Sequence, residues 1–214
     1  MLWNDHSRDI PSGAHAFLGA SKYSWLNYEE EDLRNAWERQ YAQILGTTLH
    51  ELASKLITNR IKMSYKDKNL VLISLLDKNI PRTVINHNMD RIMPNLIPYV
   101  NDGIGFRMRV EQPLVYSENI FGTADCISFD EKKKFLRIHD YKSGSTPARM
   151  EQLLIYASLF CLEYDFRPGD LSFELRIYQD GDQVISNPGA KDIVPIMDKA
   201  MYFDKLICKM KEDN

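Results

Sequence analysis

The stretch from Phe121 to Gly144, FGTADCISFDEKKKFLRIHDYKSG, holds two runs in which apolar and polar residues alternate, joined by the charged tetrad Glu131–Lys134. A period of two marks a half-buried strand, and a polar break between two such runs marks a hairpin. Each run interrupts its pattern with an aspartate. On the first, Asp125 shares a face with Ile127 and Phe129; on the second, Asp140 and Lys142 share one with Leu136 and Ile138. A turn at Glu131–Lys134 pairs Asp130 with Phe135, and the same register sets Asp125 directly opposite Asp140. Opposed Cβ atoms lie roughly 4.5–5.5 Å apart.

Two carboxylates at that spacing on a half-buried face repel, so one must hold a proton or a cation must sit between them. Hard oxygen ligands suit Mg²⁺ or Mn²⁺, and Lys142 then brings an ammonium beside the ion. A slip of one residue would send the two acids to opposite faces. Two solvated strand-end aspartates would need no ion at all.

Elsewhere the periodicity turns helical. From Glu29 to Met63, Trp37, Tyr41, Ile44, Leu45, Leu49, Leu52, Leu56 and Ile57 recur at three- and four-residue spacing, and Gly46 is where this pattern would split into two helices. Ser64 opens a further helix to about Lys78 through a capping-box variant. Residues 83–102 read as helix broken at Pro94 and Pro98. Three strands follow at about 105–117, 120–129 and 135–143. Thr146–Pro147 then start a helix, a strand covers LSFELRIYQ, a short strand covers QVISN, and a last helix runs over about 190–211. The fold class is α/β, a mixed central sheet flanked by helices, in a single domain over 1–214: a helical part at about 29–103, a core at about 104–186 and the last helix.

The 214 residues are 44% apolar and 27% charged, with 27 basic against 30 acidic side chains, which give a net charge of −3. No global basic field marks a nucleic-acid binder, so any such surface must be local. Three widely spaced cysteines without a CxxC pair argue against zinc ribbons and iron–sulfur clusters and fit a reducing cytoplasm. With no apolar leader and no spanning stretch, the expectation is a soluble intracellular protein.

GTAD with Asp125, DYK with Asp140 and Lys142, and EQLLIYA with Gln152 and Tyr156 resemble the GxxD…(D/E)xK…QxxxY series of the PD-(D/E)xK nucleases. The likeness is to the RecB-like branch, which includes many phage exonucleases. GTTLHELA resembles that branch's helical GxxxH element and gives His50 the ligand role. The resemblance covers about Gly46 to Tyr178, and the order of elements matches the restriction-endonuclease-like αβββαβ core, here with extra N-terminal helices. An alanine precedes the first acid where the family name has proline. The cluster-binding cysteines of some members are absent.

The resemblance implies a metal-dependent deoxyribonuclease, an exonuclease of recombination, repair or replication in a bacterial or phage-infected cytoplasm. A structure-specific or restriction-type endonuclease and a non-catalytic DNA-binding module are its competitors. His50, Asp125, Asp140 and the Tyr141 carbonyl would hold Mg²⁺ or Mn²⁺, which offsets charge building on the phosphoryl oxygens and activates water. Lys142 would orient or deprotonate that water. Gln152 and Tyr156, four apart on one helix face, would position Lys142 or the DNA backbone. Ser143 and Arg149 are candidates for sequence-independent phosphate contacts, and Lys22 in the aromatic stretch KYSWLNY for contacts to a single strand. Glu111 reads as a solvated strand-end acid, with a third acid near the metal as the alternative. DNA is the expected partner, and the net negative charge makes room for a loading protein or a homo-oligomer.

Overall fold

The computed structural model describes residues 16–144 and 146–212. Contacts divide the chain into two compact units, Met1–Gln43 and Ile44–Asn214. In the first, a 3-10 segment (Ala20–Asn27) precedes helix α1 (Glu30–Arg39), whose start is fixed by reciprocal bonds between Glu29 and Asp32. Trp25 is half-buried, with its indole N–H on the Gly19 carbonyl. Residues 1–15 lie outside the described residues.

Helix α2 (Ala42–Thr58) begins after a break at Gln40–Tyr41, not at Gly46. Gly46 stays inside the helix, where a Cβ would lie 3.2 Å from the Ser143 Oγ. Its small size serves a close approach, not a break. Ser64 caps a 3-10 turn (Tyr65–Asp67) as expected, accepting from the Lys66 amide while Asp67 accepts from the Ser64 amide, and α3 (Lys68–Leu76) follows.

Residues 83–102 are not broken. Helix α4 (Arg82–Gly105) runs straight through Pro94 and Pro98. Each proline removes one backbone bond and costs about 3 kcal/mol. Against that stand Val84, Ile85, Met89, Ile92, Met93, Leu96, Tyr99 and Val100, all buried at helical spacing. Burying such side chains is worth roughly 1.5–3 kcal/mol each, so packing wins.

Strands β1 (Arg109–Val115), β2 (Phe121–Asp130), β3 (Phe135–Tyr141), β4 (Ser172–Gln179) and β5 (Asp182–Ser186) form one sheet in sequence order. Only β3 and β4 are parallel, so the sheet is mixed, and their crossover carries α5 (Glu151–Glu163). The hairpin register is the one read from the sequence, with Asp130 opposite Phe135 and Cys126 opposite His139.

Thr146–Pro147 do not start α5. The Gln179 side chain binds the backbone there instead, donating to the Gly144 and Thr146 carbonyls and accepting from the Ala148 amide, so the segment stays a loop until Met150.

Helix α5 covers one face of the sheet, where Leu136, Ile138, Leu153, Ala157, Phe173 and Leu175 form the core, with Ile193 of helix α6 (Ala190–Glu212). Helix α4 covers the other, through Tyr99 against Tyr141 and Tyr178 and Phe106 against His139. No described helix is long and apolar enough to cross a membrane.

Candidate metal centre

The hairpin acids stand where α2, β1, β2 and β3 meet. The β1–β2 ladder pairs Val110 with Cys126 and Gln112 with Ala124 but leaves out Glu111 and Asp125, and Glu111 has a left-handed φ of +50°. Such a backbone is uncommon outside glycine, and the strand's alternation slips at the same point. Ala124 and Ile127 both lie in the α5-side core, while Cys126 turns to α4, where a Cβ on Gly103 would come within 3.3 Å of its sulfur. The slip turns Asp125 toward His50 of α2, whose Nδ1 is 3.4 Å from Asp125 Oδ2. His50, Glu111 and Asp125 each offer a ligand atom within 4.8 Å of the others.

Glu111 is therefore a member of this group, within β1 rather than at a strand end, and its side chain is exposed. Its sequence signal is its place in β1, between two residues that pair with the neighbours of Asp125. An acid opposite an acid in a strand pair is the pattern that singled out Asp125 and Asp140.

Asp140, next along β3, is almost wholly buried, its side chain 3% exposed, while the Asp125 side chain is 21% exposed. Neither is a strand-end acid in open water. Asp140 Oδ1 accepts from Lys142 Nζ at 3.0 Å, but Oδ2 is buried and has no partner. An orphaned carboxylate oxygen is expensive to bury, and a divalent cation is the kind of partner that relieves it. Burial pushes Asp125 up to about 6, against the lowering effect of Lys142. Burial, and next the Asp125 charge, push Asp140 up to about 6. Burial lowers His50, so its imidazole is neutral at pH 7, the form that ligates metals. The Tyr141 backbone lies against His50 and Asp125, and its ring packs on that of His50. Three acidic or imidazole side chains, a buried carboxylate with a free oxygen and an adjacent backbone suit a hard divalent ion such as Mg²⁺ or Mn²⁺.

Lys142 is held from two sides. Besides Asp140, its ammonium donates to Gln152 Oε1 at 3.0 Å, and Gln152 Nε2 donates to the Tyr156 hydroxyl at 3.2 Å. Gln152 thus touches both Lys142 and Tyr156. Ser143 lies beside Gly46 at the head of the loop, and Arg149 is exposed before α5. Lys22 is exposed in the first unit. Ser145, in the same loop as Ser143, is outside the described residues. His139 points away from the acids, as its parity requires, into a separate buried network with Tyr178 and Glu174.

A family model described as a protein of unknown function, DUF2800, matches residues 11–166. The chain belongs to this family. The segment shared with DUF2800 holds His50, Glu111, Asp125, Asp140, Lys142, Gln152 and Tyr156, and it ends before β4, so Gln179 falls outside it. No curated protein and no solved structure matches the chain. Gln179 had no signal in the sequence, because a glutamine that clamps a distant loop looks like any polar strand residue.

Proposed function

We propose that the chain is a Mg²⁺- or Mn²⁺-dependent deoxyribonuclease of the RecB-like PD-(D/E)xK kind. The observation that carries this reading is the unpartnered Oδ2 of buried Asp140, whose Oδ1 is tied to Lys142. The order α4, β1–β3, α5, β4 supports it, since it follows the αβββαβ pattern that the motifs imply.

Asp125, Asp140, His50 and the Tyr141 carbonyl would hold the ion, which when bound supplies positive charge for the phosphoryl oxygens and acidity for water. The Lys142 ammonium has three donors, and Asp140 and Gln152 take two. The third remains for the attacking water or a phosphoryl oxygen, its direction fixed by the other two. Gln152 and Tyr156 are positioning residues that act through Lys142. The buried, largely water-excluded floor strengthens each of these charges.

Within this reading we place the chain among exonucleases that act on DNA ends. Purified protein is incubated with Mg²⁺ or Mn²⁺ and either linear duplex or covalently closed circles. The reading expects linear DNA to be degraded, circles to be spared and chelation to stop the degradation. Cleaved circles would indicate an endonuclease. Intact linear DNA at every metal concentration would overturn the nuclease reading and leave a DNA-binding module.

A further inference from the structure

Away from the metal centre, the C-terminal ends of α2 and α4 and the start of β1 enclose a cleft of about 410 Å³, lined among others by Thr58, Arg60, Arg107, Arg109 and Gln112. No acidic side chain lines it. A second cleft, of about 800 Å³, shares Arg107, Arg109 and Gln112 and adds Lys132 and Arg137, and is lined by Asp130 and Glu131 as well.

Two other arginines of this unit have acidic partners. Arg176 sits 2.8 Å from Asp102 and 2.9 Å from Glu174, and Arg137 lies 3.4 Å from Glu174. Among the described residues, Arg60, Arg107 and Arg109 have no acidic partner, in a chain whose net charge is −3. Arg60 and Arg107 also occupy left-handed positions, φ +56° and +54°, at matching helix ends. The Arg60 amide bonds Ile57 and the next amide bonds Leu56; the Arg107 amide bonds Ile104 and the next bonds Gly103. Glycine is the usual residue at such a position. A cation there also suits the helix dipole, but Arg109 begins a strand, where no dipole calls for it.

We propose that Arg60, Arg107 and Arg109 form a track for the phosphate backbone of the nucleic acid that reaches the metal centre. This rests on the nuclease reading. The track shares its elements with the site: Arg109 is two residues, roughly 7 Å, from Glu111 on β1. Arg60 follows α2, whose end lies roughly 12 Å beyond His50 along the helix axis. At 3.4 Å per phosphate along one strand, these spans are about two to four phosphates. Guanidinium forks bind phosphate oxygens in pairs, and contacts of this type carry no sequence preference.

The test measures binding of a fluorescent 20-nucleotide oligodeoxynucleotide at several salt concentrations, in an Asp140→Asn background so that no strand is cut. Replacing Arg60, Arg107 and Arg109 together by glutamine is expected to weaken binding at least about 30-fold near 0.1 M salt. It should also reduce the slope of log affinity against log salt by about 2, at about 0.7 per lost contact on a single strand. Arg109→Gln alone, at an exposed strand start, is expected to give about one third of the slope change and guards against misfolding of the triple variant. Unchanged affinity and slope in both variants overturn the track, as does stronger displacement of the oligonucleotide by poly-glutamate than by an unlabelled oligonucleotide of equal charge. A wild-type chain that cuts DNA while the variants bind normally sinks the track alone. A chain that binds through these arginines but cuts nothing keeps the track and sinks the nuclease reading.

Discussion

Gly122 of β2 lies directly against the ring of Tyr156 on α5: a Cβ at position 122 would stand 2.8 Å from Tyr156 Cε1. The first residue of the GTAD motif and the last of the QxxxY motif are thus two sides of one contact. Through the Tyr156 hydroxyl and Gln152, that contact reaches Lys142. Gly122→Ala should displace the tyrosine ring at a cost of about 1–3 kcal/mol and lower DNA cleavage more than DNA binding. Combining it with Tyr156→Ala should recover part of the lost stability but none of the activity. Thermal melts and single-turnover cleavage on the four chains of this cycle provide the check, and additive stability effects would show that the contact is unimportant.

In the nuclease reading, Asp140 couples activity to instability. Its carboxyl is raised to about 6 by burial and by Asp125, so in the metal-free protein its ionised form opposes folding. A raised acid in the folded state binds more protons than the unfolded chain, so the penalty is full above about pH 6 and vanishes below the unfolded value near 3.8. Asp140→Asn should therefore stabilise the metal-free protein at pH 7 by about 1–3 kcal/mol, with the gain shrinking on acidification. The same variant should lose at least about 100-fold in cleavage rate. Urea titrations at pH 7 and pH 4 test the sign, and a variant less stable than wild type at pH 7 would refute it.

Gln179 fixes the loop between Lys142 and α5 through three bonds to its backbone. Gln179→Ala should cost about 1–3 kcal/mol and release the Ala148 amide to faster hydrogen exchange. Slower DNA cleavage with unchanged Mn²⁺ affinity is expected as well, because the loop leads into the helix that carries Gln152. Unaltered exchange at Ala148 would show that the loop holds itself.

His139 provides a pH marker on the opposite face. Burial, with the Arg176 charge second, lowers its imidazole to about 4. The unfolded chain then takes up a proton that the folded one refuses, so stability is full above pH 6.5 and falls as pH drops toward 4. The loss is of the order of 3 kcal/mol. Histidine proton resonances should show no His139 titration above pH 5, and a midpoint near 6.5 would mean that the network of Tyr178 and Glu174 is open to water.

What the sequence made legible was what local periodicity controls. The hairpin register followed from alternation and a four-residue turn, and it put Asp125, Asp140 and Lys142 together before any coordinates. The order of strands and helices followed from the same patterns. The misreadings share one cause, tertiary contacts that outweigh a local signal. Gly46 looked like a helix break, but its lack of a side chain admits Ser143. Pro94 and Pro98 looked like breakers, but the buried apolar face of α4 holds the helix through them. Thr146–Pro147 looked like a helix start, but Gln179 takes the backbone groups a first turn would use. Glu111 joins the site through a left-handed backbone that no propensity favours for glutamate, while its side chain stays exposed.

The most direct measurement is anomalous diffraction from a crystal soaked in Mn²⁺. A peak should appear between the carboxyl groups of residues 125 and 140, within about 2.3 Å of the oxygen of Asp140 that has no partner in the protein. It should vanish in Asp140→Asn. A lattice saturated with Mn²⁺ and featureless at that position, or a peak that survives the substitution unmoved, would contradict the assignment of an ion to this pair of acids.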